Sequence, residues 1–143
     1  MKKFARIIAV ALLVVMALSL VSCSSSFGSI KSNFEKHGYT YVKDADSEST
    51  SKTITAELEQ GDISCTPHLF KTDGFLGVDV YALVLEFGSD KDMQAAMEES
   101  ATIQGLVKDA QESQLVNGNC LLIPISLTKA DDMIKIFNGE KLD

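Results

Sequence analysis

The stretch Gly77–Phe87, G-V-D-V-Y-A-L-V-L-E-F, restricts the possible folds more than any other part of this chain. A strand with one wet face alternates apolar and polar residues, but Val80 to Leu85 is apolar on both faces. Such a strand belongs in the middle of a sheet, covered by helices on at least one side. Asp73-Gly74 marks a turn just before it. Asp62–Lys71 reads as the strand leading into that turn, with Pro67 demoting it to an edge or a bulge. Phe75 and Leu76 fall at the turn's tip. They either fold back onto the core or stay exposed as a contact surface, and both readings are open.

The remaining elements follow from periodicity and punctuation. Ser29–His37 is expected as a short amphipathic helix, with Ile30 and Phe34 on one face, Ser29 as cap and Gly38 as stop. Tyr39–Val42 reads as a short strand. Lys43–Lys52 has almost no apolar content and reads as a solvated loop. Thr53–Gln60 fits a helical stripe through Ile54 and Leu58, and also a strand through T-I-T-A; Gly61 tips the balance slightly to helix. Ser89 with Asp92 has the form of a capping box, ahead of an apolar stripe at Met93, Ala96, Met97 and Ala101. Gly105 is placed to break or bend that helix, with Leu106, Val107 and Ala110 continuing it. Asn117-Gly118 is a hairpin signal of the type I′ kind, joining a strand at Gln114–Val116 to one at Cys120–Ser126. Thr128 with Asp131 caps a last helix carrying Ala130, Met133, Ile134 and Phe137, which Asn138-Gly139 stops. Helices mixed with antiparallel hairpins predict an α+β fold: one small domain, a mostly antiparallel sheet, and helices packed on one face.

The first residues obey different rules. Lys2, Lys3 and Arg6 precede fifteen residues, Ile7–Val21, that are apolar except for Ser19. A positive start and a short apolar run form a secretory signal, and the run is too short to span ~30 Å of hydrocarbon comfortably. Ala17 and Ser19 could serve an ordinary signal peptidase. The stretch Leu20-Val21-Ser22-Cys23, however, resembles the bacterial lipobox at all four positions. That resemblance implies a diacylglyceryl thioether on Cys23, cleavage between Ser22 and Cys23 by the dedicated lipoprotein peptidase, and room for an N-acyl group. It places the protein at the extracytoplasmic face of the cell membrane, held to the bilayer by acylated Cys23. The expected organisation is a lipoprotein signal peptide at 1–22, lipidated Cys23 with a Ser/Gly-rich tether at 23–29, and the α+β domain at 30–143. Beyond the leader, the pattern is similar to small uncharacterised lipoproteins of Gram-positive bacteria. It shares their G-Y strand at Gly38-Tyr39, a strand–helix unit at Leu83–Met97, and a G-N-hydrophobic strand at Gly118–Ile123. That group has no agreed activity, so the resemblance implies none.

Composition narrows the function classes. Removing residues 1–22 leaves 121 residues with ten basic and twenty acidic side chains, a formal charge of −10 and no arginine. A strongly acidic domain without the guanidinium fork is a poor match for nucleic acid or anionic head groups. No catalytic residue, metal ligand or cofactor site is expected. Cys65 and Cys120 both fall in expected strands, where a disulfide between them is an option and two buried free thiols the alternative. His37 reads as a helix-end residue. His68 lies three positions from Cys65, and on a regular strand the two point to opposite faces. The sequence therefore predicts a membrane-anchored module that binds a protein or small ligand at the envelope. The alternative is a small envelope enzyme or an accessory subunit of an envelope complex. A cleft joining Cys65, His68 and a carboxylate would favour the enzyme, and an exposed Phe75–Leu76 surface would favour the binding module.

Overall fold

The two-sided apolar strand takes the middle of a five-stranded antiparallel sheet. A computed structural model describes residues 26–107 and 114–142. Ser22, Cys23 and Ala110 lie outside the described residues. In chain order the elements are α1 (Ser26–Lys36), β1 (Thr40–Val42), α2 (Ser49–Gln60), β2 (Cys65–Asp73), β3 (Asp79–Phe87), α3 (Asp90–Glu99), α4 (Ala101–Val107), β4 (Val116–Asn117), β5 (Cys120–Pro124) and α5 (Ala130–Phe137). Short 3-10 turns lie at Ala45–Ser47, Phe75–Gly77 and Leu127–Lys129. The strand order is β1-β2-β3-β5-β4. This is the α+β class expected from the sequence.

Helices cover both faces of the sheet, where the sequence led us to expect one. Strand pairing puts Phe70, Ala82, Val84 and Leu122 on one face and Leu69, Leu83, Leu85 and Ile123 on the other, and all eight are fully buried. Helix α1 lies on the first face, with Phe34 stacked on Phe70 at 4.7 Å between ring centroids. Helix α5 packs beside α1 and against β5. The opposite face takes α2, α3 and α4, whose Ile54, Leu58, Met93, Ala96 and Ile103 are buried. Glu57 ties these helices together by accepting hydrogen bonds from Ser100 Oγ, Thr102 Oγ1 and the Thr102 backbone N–H. Those bonds, that from Ser100 foremost, hold the Glu57 carboxyl below its ordinary range. A strand apolar on both sides cannot leave either face to water, so the extra layer follows from the β3 sequence itself. Truncating Leu83 or Leu85 to alanine removes about 2–5 kcal/mol of stability.

Local differences have physical causes. Helix α1 begins at Ser26, so Ser26–Ser29 belongs to the folded domain and not to the tether. Ser26 is buried, and Phe27 packs against the core. Helix α2 begins at Ser49, inside the stretch expected to be loop. Glu48 caps it by accepting from Ser51 N at 2.7 Å, and Ser51 is itself buried. The break after α3 comes at Ser100, whose hydroxyl accepts from Ile103 N to start α4, and Gly105 lies within α4. Pro67 stands opposite Leu85 in β2, beyond the end of β1 at Val42↔Leu69, so it has a strand on one side only. That is the local edge its missing N–H requires. The final hairpin turns on Gly118 and Asn119, because Asn117 still pairs with Cys120. Positive φ falls on Gly118 alone, the requirement of a type II′ turn rather than I′. Helix α5 is preceded by Lys129 with no side-chain cap, so Thr128 does not cap it.

Candidate functional site

The β2–β3 hairpin ends in a knob closed by backbone hydrogen bonds. The strands stay in register to Asp73↔Asp79, leaving five residues to close the turn. Gly74 N donates to Val78 O at 2.8 Å. A Cβ on Gly74 would stand 2.4 Å from Val78 O and 2.6 Å from Val80 Cγ2, so only glycine fits there. Leu76 (φ 59°, ψ 27°) and Gly77 (φ 75°) follow one another in the left-handed region. For leucine that conformation costs about 1–2 kcal/mol, and it persists only where its surroundings impose it.

The consequence is a projecting apolar surface. Phe75 and Leu76 are each 85 % exposed and Val78 is 66 % exposed. The connection is too short to fold back, and Val80 beneath it is already buried in the core. Of the two readings open in the sequence, the exposed one is observed. The surrounding charges are engaged: Lys71 Nζ lies 3.5 Å from Asp79 Oδ2, and Lys129 Nζ donates to the Asp73 carbonyl at 3.3 Å. An apolar projection with a collar of equal and opposite charges suits insertion into an apolar socket, where burial supplies the energy.

A second constellation lies under α1 and has a different character. His68 is buried, with Nε2 3.1 Å from Glu86 Oε1 and Nδ1 2.9 Å from the Tyr41 hydroxyl. As a neutral imidazole it donates from Nε2 and accepts the tyrosine proton at Nδ1, which satisfies both ring nitrogens. Phe27 stacks on its ring face at 3.5 Å and 17°, and Lys31 Nζ sits 4.8 Å from the Tyr41 ring centre. Burial lowers the His68 pKa below the usual histidine value, against the opposing pull of Glu86. A carboxylate and a tyrosine flank the histidine, and Phe27 covers its ring face. These contacts join α1 to the sheet.

The cysteines are separated by β3. Cys65 lies opposite Phe87 and Cys120 opposite Glu86, two strand spacings apart and on opposite faces. Two spacings of about 4.8 Å exceed the Cα separation a disulfide can bridge. Both are free thiols, which corrects the option of a bridge. Burial, reinforced by Asp92 and Glu59, pushes the Cys65 thiol up to about 11; burial and Glu86 push Cys120 up to about 12. Both shifts favour the protonated thiol at neutral pH. Cys65 and His68 also occupy opposite faces, as the strand period requires.

Open depressions lie along the outer side of α1, at Gly28, Ser29, Ser32, Asn33 and Lys36, and beside the start of β2, at Glu59, Asp62, Ile63, Ser64 and Cys65. Among the described residues no group of three or more His, Cys, Asp or Glu is placed to hold a metal ion. Nor is any described helix long and apolar enough to cross a membrane.

Sequence reasoning missed the His68 network because its members, Phe27, Tyr41, His68 and Glu86, are spread over 59 positions of the chain. One signal was present: Phe27, Ile30 and Phe34 share a helical face at spacings of three and four. Comparison of the chain with family models, with curated proteins and with solved structures found no match.

Proposed function

We propose that this chain is a lipid-anchored extracytoplasmic module that binds a partner at the cell envelope through the Phe75–Leu76 knob and performs no chemistry of its own. The lipobox at Leu20–Cys23 is the basis for the anchor. The observation that carries the binding role is the pair of large apolar side chains, each 85 % exposed, on a turn that bears left-handed strain at Leu76. Strain and exposed apolar area both work against stability, and their coincidence at one tip is the mark of a surface kept for contact. The enzyme alternative needs Cys65, His68 and a carboxylate in one cleft. Cys65 faces away from His68, and the bonds of His68 are all internal.

The test is a double substitution, Phe75→Ser with Leu76→Ser, in the full chain. Wild-type protein, extracted from membranes in mild detergent, should migrate on a native gel well above its own size. The double variant should migrate as the free chain with an unchanged melting curve. A wild-type chain that runs alone, or a variant that stays in the complex, would refute the proposal.

A further inference from the structure

The two ends of the sheet differ, and α1 links them. Ser26 packs against the β4–β5 hairpin, where a Cβ on Gly118 would stand 2.1 Å from Ser26 Oγ. From there α1 runs along the sheet, with Phe27 over His68 and Phe34 over Phe70. Just past its end the Gly38 carbonyl accepts from Thr72 Oγ1 at 3.1 Å. Thr72 is one residue short of the last pair before the knob. The chain therefore enters the domain at the end occupied by Gly118, Cys65 and Phe87, and the knob stands at the other end. β2 and β3 pair over nine residues between the two, about 27 Å at ~3.4 Å per step.

The length of chain before Ser26 then matters. Cys23 precedes Ser26 by three residues, a reach of at most about 11 Å. A bilayer holding Cys23 holds the Gly118 end close to its surface. The knob could touch the same bilayer only if the domain lay on its flank. Among the described residues the exposed large apolar side chains are Phe75, Leu76 and Val78, all at the tip, so the described part of the flanks offers the bilayer no such side chain. The charge of −10 beyond residue 22 also opposes close contact with an anionic leaflet.

We infer that the Phe75–Leu76 knob is presented away from the bilayer that holds the chain, and that its occupant is a protein with an apolar socket standing off that membrane. This rests on the anchored reading of Cys23. The collar of Lys71, Asp73, Asp79 and Lys129 carries no net charge, so the docking depends on apolar burial and changes little with salt.

The chain contains no tryptophan, so one introduced residue is a single fluorescent donor. The full chain is expressed with its leader, labelled with a fatty acid, and purified from membranes. Phe75→Trp and Ser64→Trp versions are reconstituted into phosphatidylcholine vesicles carrying a trace of dansyl-phosphatidylethanolamine. Ser64 is exposed at the anchored end beside Cys65. Energy transfer to the dansyl lipid should be severalfold stronger from position 64 than from position 75. In intact cells, a benzophenone amino acid at Val78 should give one discrete protein adduct, absent when Leu76→Asp is added. Equal or stronger transfer from position 75 overturns the orientation. A lipid adduct, an adduct of two copies of this chain, or no protein adduct overturns the partner. An unsubstituted chain that takes up no fatty acid overturns the anchored reading and this inference with it, and that label is read first.

Discussion

Leu76→Gly should make the folded domain more stable while weakening its contacts. Leu76 lies at φ 59° and ψ 27°, where the Cβ of an L-residue crowds the following carbonyl at about 1–2 kcal/mol. Its side chain is 85 % exposed, so deleting it gives up almost no burial in the free protein. Glycine also frees the unfolded chain, which offsets about 0.4–1 kcal/mol of the relief. The balance is a gain of about 0.5–1 kcal/mol. With an unfolding slope of ~1.5 kcal/mol/M in urea, the midpoint should rise by about 0.5 M while the slope stays constant. The same variant should lose the higher native-gel species. A lower urea midpoint would show that the Leu76 side chain holds the turn together, and the strain assigned to Leu76 would be refuted.

Two further outcomes follow from the interior. His68 has a folded pKa below its ordinary value of about 6.5, chiefly from burial, with Glu86 opposing and Lys31 adding. The unfolded chain therefore takes up its proton first, so stability that is complete above pH ~6.5 falls as the pH drops below it. Urea midpoints measured between neutral pH and pH ~5 should decline, and His68→Gln should flatten that part of the curve; a rise on acidification contradicts the assignment. The mature, acylated chain should show two thiols, Cys65 and Cys120, reacting with Ellman's reagent on unfolding and only slowly in the fold. A third thiol would mean that Cys23 is unmodified, and none after unfolding would mean a bridge.

The sheet is legible in the sequence because the run from Val80 to Leu85 leaves no freedom about where to put it. The same run also implies helices on both faces, and taking the hairpin pattern alone leads to one. The start of α1 is hidden because S-S-S-F-G-S has the composition of a tether, whereas Phe27 falls in step with Ile30 and Phe34. Helix α2 is obscured by serines and threonines, which compete for backbone hydrogen bonds in isolation. Burial of Ser51, Ile54 and Leu58 holds it, and Glu48 takes a capping role that usually falls to shorter side chains. The knob could be located in the sequence but its exposure could not. That depends on Gly74, where the opposing Val78 carbonyl and Val80 methyl exclude a side chain, and such a contact exists only once β2 and β3 have paired. The His68 network depends on register between four elements in the same way.

The most direct test of the account is the N-terminus of the mature protein. Mass spectrometry of the first peptide, from protein recovered in the membrane fraction, should give Cys23 as residue one, carrying a diacylglyceryl thioether. The Cys23→Ser protein should lack the label and be released or remain unprocessed. A mature chain that begins elsewhere, or that begins at Cys23 with a free thiol, would contradict the account.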